Sequence, residues 1–309
     1  MTAADRGVAV IGTGIMGSRI ARRLADSGRR VVAWNRDPAK VQRLEQHGVA
    51  RALTPAAALG QCDVAIVMLS SGPVIDDVLF SPDHDGDFAA NALRPGAIVV
   101  VMSSIPVETS RAQAARLARR DVRYVDAPVS GGEAGAREGT LTIMAGGDAS
   151  VVAAVAPVLA PLGRLTRIGQ VGSGQLAKLA NQIIVGAGVA AVAEALAFAR
   201  AGGADPGAVR EALIGGFADS RLLREHGRRM VLGDFVPGGS ADHQLKDLRT
   251  AQAYAEGLRL ELPLLAAASA LFEAMVRSGD GALDHAGVIR EIERQRTSGE
   301  ARPACPHPN

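Results

Sequence analysis

The chain has 309 residues, of which 48% are hydrophobic, 21% charged and only 3% aromatic, a balance that excludes a disordered chain and allows two ordinary domains. Its 34 basic and 32 acidic residues leave a formal charge of +2, and its densest basic stretches, around Arg116–Arg123 and Arg221–Arg229, fall on predicted helices with few aromatics nearby, which argues against nucleic-acid binding. Two cysteines, Cys62 and Cys305, are too few for a disulfide framework or a cysteine metal cluster; with no signal-peptide pattern before the first strand and a longest apolar run, Ile183–Ala193, too short to span a bilayer, a cytoplasmic protein with no membrane partner and no metal is expected.

The first half alternates short β-branched runs with amphipathic stretches. Strands are predicted at Val8–Ile11, Val31–Trp34, Val64–Leu69, Ile98–Met102, Tyr124–Ala127, Leu141–Ala145 and Leu165–Ile168. Helices are predicted from Ile15 to Gly28, from Pro38 onward, and over Pro73–Phe80 and Val107–Arg119. Pro38 suits a first helical position because its missing N–H has no partner to lose. Repeated βα units of this kind predict a parallel, doubly wound sheet. From Gly174 the pattern becomes one long Ala-rich helix to about Ala201, followed only by helices at Pro206–Ile214, Ser220–Leu232, His243–Glu256, Pro263–Ser278 and Ala286–Gln295. The expected organisation is α/β: a Rossmann-type domain over residues 1–168, an all-α domain over 169–296 that starts with the long helix, and a disordered Pro-rich tail at 297–309.

Gly12-Thr13-Gly14-Ile15-Met16-Gly17 follows the first strand and opens the first helix. In a dinucleotide-binding turn the first glycine permits the tight bend, the second lets backbone approach a pyrophosphate, and the third lets helix and strand pack closely. The helix N-terminus then offers unpaired N–H donors and a positive dipole end. After the second strand, where a carboxylate would select NAD, stand Asn35 and Arg36. Asn35 does not repel a 2′-phosphate and Arg36 can pair with it, so NADP is expected, with NAD possible beside the neighbouring Asp37.

Three further segments carry chemistry: Asp126-Ala127-Pro128-Val129-Ser130-Gly131-Gly132, Gly172-Ser173-Gly174-Gln175-Leu176-Ala177-Lys178-Leu179-Ala180-Asn181, and Lys246-Asp247-Leu248. Lys178 and Asn181, three apart, share one face of a helix. Gly131-Gly132 offers the adjacent N–H groups of an anion nest. Together with the glycine turn, and in this order, the segments resemble the β-hydroxyacid dehydrogenase family over about Gly7 to Gln295.

The resemblance implies a reductase with Lys178 as general acid, Ser130, Gly131 and Gly132 on the substrate, Asn181 on the substrate or positioning Lys178, and Leu69, Ser104 and Lys246 on the cofactor beside the glycine turn. It implies a small aldehydo or hydroxy acid as substrate and a homodimer or homotetramer as the assembly. Met102-Ser103-Ser104-Ile105, Glu133 after the double glycine, Lys178-Leu179-Ala180-Asn181-Gln182 and Ala193-Glu194-Ala195-Leu196 resemble the branch that reduces tartronate semialdehyde to glycerate. The alternatives are 3-hydroxyisobutyrate-type and 4-hydroxybutyrate-type dehydrogenases and, more remotely, a dinucleotide-binding protein without turnover. Val101 stands where that branch has an aspartate, and the Gly238–Gln244 loop is unusually polar and Gly-rich. Glu194 and His243 are expected to be structural.

Overall fold

The computed structural model describes residues 7–82 and 86–299, with side chains to residue 294. The first part runs β1 (Gly7–Ile11), α1 (Ile15–Asp26), β2 (Val31–Trp34), α2 (Pro38–Glu45), β3 (Val49–Arg51), α3 (Pro55–Leu59), β4 (Cys62–Val67) and α4 (Gly72–Phe80). It continues through β5 (Ile98–Val101), α5 (Val107–Ala118), β6 (Arg123–Asp126), β7 (Val129–Ser130), α6 (Gly132–Glu138), β8 (Leu141–Gly146), α7 (Ala149–Leu159) and β9 (Gly163–Gly169). These strands form one sheet in the order β3-β2-β1-β4-β5-β6-β8-β7, with β9 paired to β8.

The sheet is parallel from β3 through β6. The parallel sheet expected is met there, and beyond that point β8 runs antiparallel to both β6 and β7, while β9 is parallel to β8. Pro128 ends the β6 ladder by removing a donor, and the chain folds back through β7 and the short α6 instead of a full crossover helix.

Alternation along each central strand builds two cores. Val8 and Val10 of β1 join Ile66, Val100 and Val125 under Ile20 and Leu24 of α1 and Val151 and Val155 of α7. Ala9 and Ile11 join Ala65, Val67, Val99 and Val101 under Leu59 of α3, Ile75 and Leu79 of α4 and Leu117 of α5. Burial on both faces is why these strands read as continuous apolar runs. Burial also pushes the Cys62 thiol up to about 11, so it stays a protonated core side chain; Cys305 lies outside the described residues.

The unforeseen elements are β3, α3, β7, α6 and α7. β3, α3 and β7 are too short to show a period. For α3 the usable signal is Thr54, whose side chain accepts from Ala57 N, followed by Pro55. For α7 it is the N-cap Asp148, masked by an apolar composition that lacks helical alternation.

The second part is helical: α8 (Ser173–Ala201), α9 (Pro206–Leu213), α10 (Arg228–Leu232), α11 (Ala241–Gly257), α12 (Pro263–Met275) and α13 (Val288–Gly299). The helical turn at Leu223–Gly227 widens to π geometry, and the chain at Val276–Asp280 is kinked at Gly279, whose φ is +86°. Of the expected disordered tail, 297–299 extend α13, and 300–309 lie outside the described residues. The chain divides into two compact units between Lys178 and Leu179, inside α8.

Helix α8 is long and apolar enough, by length and composition, to cross a membrane. The Ile183–Ala193 run alone did not reveal this, because Ala and Gly extend the apolar stretch beyond it; core helices pass the same test. Gly186 and Gly188 permit close neighbours: an added Cβ at Gly186 would lie 2.9 Å from Gln244 Nε2 and from Leu248, and one at Gly188 would press on Leu222. Glu194 is exposed.

Candidate active site

Five parallel strands end side by side, because Ile11 pairs with Trp34 and Val67, Val67 with Val101, and Val101 with Asp126. Hydrogen bonds carry this register into the loops: Gly12 N donates to Trp34 O, Met68 N to Ile11 O, Met102 N to Val67 O and Ala127 N to Val101 O. The order reverses between β1 and β4, the place where open α/β sheets leave a ligand crevice. Gly12, with φ +98°, sits there, and an added Cβ would overlap the Met68 carbonyl. At Gly17 an added Cβ would overlap the Gly12 carbonyl, whereas Gly14 faces open space. Two glycines therefore serve the turn, and the third keeps a surface clear.

This turn fits a phosphate-bearing group. Gly14 opens α1 without any side-chain cap, leaving first-turn N–H groups available to an anion. Thr13 Oγ1 is buried without a hydrogen-bond partner. Thr13 N donates to Asn35 Oδ1 at 3.0 Å, and Asn35 Nδ2 donates to Asp37 O. Asn35 thus ties the glycine turn to the end of β2. Asp37 is the N-cap of α2, accepting from Ala39 N at 3.0 Å. Arg36 is exposed and makes no ion pair among the described residues.

Leu69 N donates to Ser103 Oγ at 2.8 Å, joining the loops after β4 and β5, with Ser104 half-buried next to it. Val101 is buried in the sheet, so the departure noted there lies under these loops.

Asp126, fully buried at the end of β6, had no role assigned from the sequence. Its Oδ1 accepts from Gly172 N and its Oδ2 from Gln175 N, both at 2.8 Å. It thereby fastens the start of α8, the helix that carries half-buried Lys178. A carboxylate closing an apolar strand was the available signal.

Burial pushes the Asp126 carboxyl up to about 6, although the backbone N–H groups of Gly172 and Gln175 favour its charged form. The folded chain therefore holds a proton that the unfolded chain releases near the ordinary carboxylate value. The resulting stabilisation is full below that value and is lost as pH rises through about 6, a change of about 3 kcal/mol. Urea midpoints between pH 4 and 7 should show this decline in the wild type and not in Asp126→Asn; parallel curves would refute it. Asp284, held low by His226 and His285 against the opposing effect of burial, acts in a lower window, losing its contribution as pH falls below the ordinary carboxylate value.

After β6 the chain reaches Ser130, Gly131 and Gly132. Gly131 has φ +131° and Gly132 φ +62°, conformations that favour glycine. Gly131 opens α6 without a side-chain cap, and no atom lies within 4 Å of an added Cβ at Gly132. The open side is at Gly132, since an added Cβ at Gly131 would lie 3.2 Å from Leu141 Cδ2. Glu133 accepts from Arg19 Nε at 3.0 Å and Nη2 at 2.6 Å, a pair that braces α6 against α1 and that sequence reading missed.

In the second unit, Asn181 Nδ2 donates to Gln182 Oε1 at 2.8 Å, and Gln182 Nε2 donates to Asp247 Oδ2 at 2.8 Å. Lys246 Nζ lies 3.0 Å from Asp247 Oδ1. A chain of polar contacts, buried at Gln182 and Asp247 and half-buried at its ends, thus links two of the expected site residues, Asn181 and Lys246, through two that were not expected. Ser240 caps α11 and lies 2.6 Å from His243 Nδ1, a structural role for that histidine.

The polar loop before Lys246 is clasped by Asp284, whose Oδ2 accepts from Gly238 N, Gly239 N and Arg229 Nη1 at 3.0–3.2 Å. His226 and His285 stand beside Asp284, with donor atoms of the three within 4.8 Å of one another. This cluster of ligand-type groups escaped the sequence reading because His226 lies far in the chain from Asp284 and His285. The 3.2 Å contact between the two Nε2 atoms is a hydrogen-bond distance, and Arg229 already compensates the carboxylate.

The model of the NAD binding domain of 6-phosphogluconate dehydrogenase matches residues 7–174. That of the NAD-binding domain of NADP-dependent 3-hydroxyisobutyrate dehydrogenase matches residues 172–292. The chain is 41% identical over 289 residues to 2-hydroxy-3-oxopropionate reductase of Escherichia coli, covering 92% of this chain and 96% of that one. The chain belongs to the β-hydroxyacid dehydrogenase family. As a member it is an NAD(P)-dependent oxidoreductase acting on CH–OH groups. It is also 32% identical to L-threonate dehydrogenase of Cupriavidus necator, over 93% of this chain and 96% of the relative. The solved structure of 3-hydroxyisobutyrate dehydrogenase from Salmonella typhimurium matches this dehydrogenase with TM-score 0.84 at 29% identity, over 93% of this chain and 99% of the other.

Proposed function

We propose that this dehydrogenase reduces tartronate semialdehyde to glycerate, with Lys178 as general acid and NADPH as the preferred cofactor. The observation that carries the reading is the anchoring of α8 on Asp126, which ties Lys178 to the strand whose following loop holds Ser130, Gly131 and Gly132. The relative named 2-hydroxy-3-oxopropionate reductase supports it at 41% identity. NADPH is favoured because Arg36 is exposed while Asp37 is engaged as the α2 cap.

When bound, NADPH supplies the hydride. The N–H groups of Gly131 and Gly132 and the Ser130 hydroxyl bind the substrate carboxylate. Lys178 donates a proton to the aldehyde oxygen as the carbonyl becomes an alcohol, and recovers a proton from solvent. Before transfer its ammonium stabilises the charge developing on that oxygen. Asn181, three residues further along the same helix, hydrogen-bonds the substrate.

A second reading, a 3-hydroxyisobutyrate-type enzyme, is favoured by the Salmonella structure. The two substrates differ by a hydroxyl in place of a methyl beside the carboxylate. A site that hydrogen-bonds the hydroxyl leaves polar groups unpaired against the methyl. Measured with NADPH, kcat/KM should favour tartronate semialdehyde over methylmalonate semialdehyde by about tenfold or more. Equal or faster turnover of the methyl compound would assign the enzyme to the second branch.

A further inference from the structure

We propose that Gln175 is a positioning residue, locking the first turn of α8 to the loops after β4 and β5 so that Lys178 is held at a fixed place beside them. This deepens the reading of Lys178 as the general acid and rests on it.

Gln175 is 1% exposed, and both ends of its amide are used. Its Oε1 accepts from Ile105 N at 3.1 Å and its Nε2 donates to Ser103 O at 2.9 Å. Ser103 in turn accepts from Leu69 N through its hydroxyl. One side chain therefore joins α8 to the backbone after β5 and, through Ser103, after β4. The Gln175 backbone N–H is held by Asp126, which also holds Gly172 N.

The small residues around the helix start exist for this seating. An added Cβ at Gly174 would lie 2.9 Å from Asp126 Oδ2, and one at Gly172 would lie 2.9 Å from Val107 Cγ1. Any larger residue would lift the helix off the carboxylate. Lys178 follows Gln175 by three residues, about 4.5 Å along the axis and on the adjacent side of the same face. A shift of the first turn is thus passed directly to Lys178. A displacement of about 1 Å at a reacting group can cost about a hundredfold in rate, whereas loss of fold stability alone leaves each folded molecule fully active.

The test uses Gln175→Leu and Gln175→Glu beside Lys178→Ala in the full chain, with kcat expressed per folded enzyme. Gln175→Leu should lower kcat about tenfold or more, with the NADPH dissociation constant changed by less than about threefold because the glycine turn is untouched. Gln175→Glu preserves shape but sets a carboxylate oxygen against the Ser103 carbonyl. It should be impaired at neutral pH and recover as pH falls toward 5, when the protonated acid can donate, a recovery the wild type lacks. This second variant keeps the test decisive if Gln175→Leu does not fold.

Wild-type kcat in Gln175→Leu, or a Gln175→Glu pH profile parallel to the wild type, overturns the positioning role while leaving the Lys178 assignment intact. A fall in NADPH affinity as large as the fall in kcat also overturns it, since the network would then serve the cofactor loops. Full activity of Lys178→Ala overturns the general-acid reading and the positioning role with it.

Discussion

Lys178→Ala is expected to lower kcat by about two to four orders of magnitude, the range for losing general acid–base help. The proton has to reach an oxygen that gains negative charge as hydride arrives, and water is a poorly placed donor. Removing the ammonium also removes electrostatic stabilisation of that charge. The helix itself should survive, because Asp126 and Gln175 hold its start through groups that the substitution leaves alone, and alanine is a good helix former. NADPH binding, measured by fluorescence titration, should stay within a few-fold of wild type, since the glycine turn is elsewhere. Single-turnover rates isolate the chemical step from product release. A mutant with near wild-type single-turnover rates would show that another group supplies the proton.

Arg36→Ala is expected to weaken NADP(H) binding by about 10- to 100-fold, the worth of one well-formed charge-assisted contact to a phosphate. Binding of NAD(H) should change by less than about threefold, because only NADP carries the 2′-phosphate that a guanidinium can grip. The arrangement after β2 gives this contrast. Asn35 is committed to Thr13 N and Asp37 to Ala39 N, so neither is a spare group for that phosphate, and Arg36 is exposed and makes no ion pair among the described residues. Parallel titrations of both cofactors check it. Equal losses would mean that Arg36 supports the loop, and no loss for either would place the 2′-phosphate elsewhere. High salt should shrink the effect, as expected for an exposed ion pair.

The glycine turn was legible residue by residue because its constraints are local. A backbone with φ +98° at Gly12, and a helix packed against the strand before it at Gly17, demand glycine whatever the rest of the chain does. The same holds for Gly131 and Gly132, and for the long α8, whose composition over many residues leaves little choice. Strand directions were harder. Period and composition are alike for a parallel and an antiparallel buried strand, so the reversal at β8 was not readable.

The sequence by itself determined the α/β-then-α order, the dinucleotide turn and the family, because these rest on short-range spacing, helix and strand periods and motif order. Only the tertiary structure decided what Asp126, Gln175, Ser103, Gln182, Asp247 and Glu133 do. Each is a polar residue whose partner lies distant in the chain: Asp126 on Gly172, Gln175 on Ile105 and Ser103, Gln182 on Asp247, Glu133 on Arg19. In a sequence, a buried carboxamide and a solvated one look the same. The difference arises only when folding withdraws water and leaves such a group needing a partner, and which partner it finds is settled by the three-dimensional meeting of strand ends and helix starts.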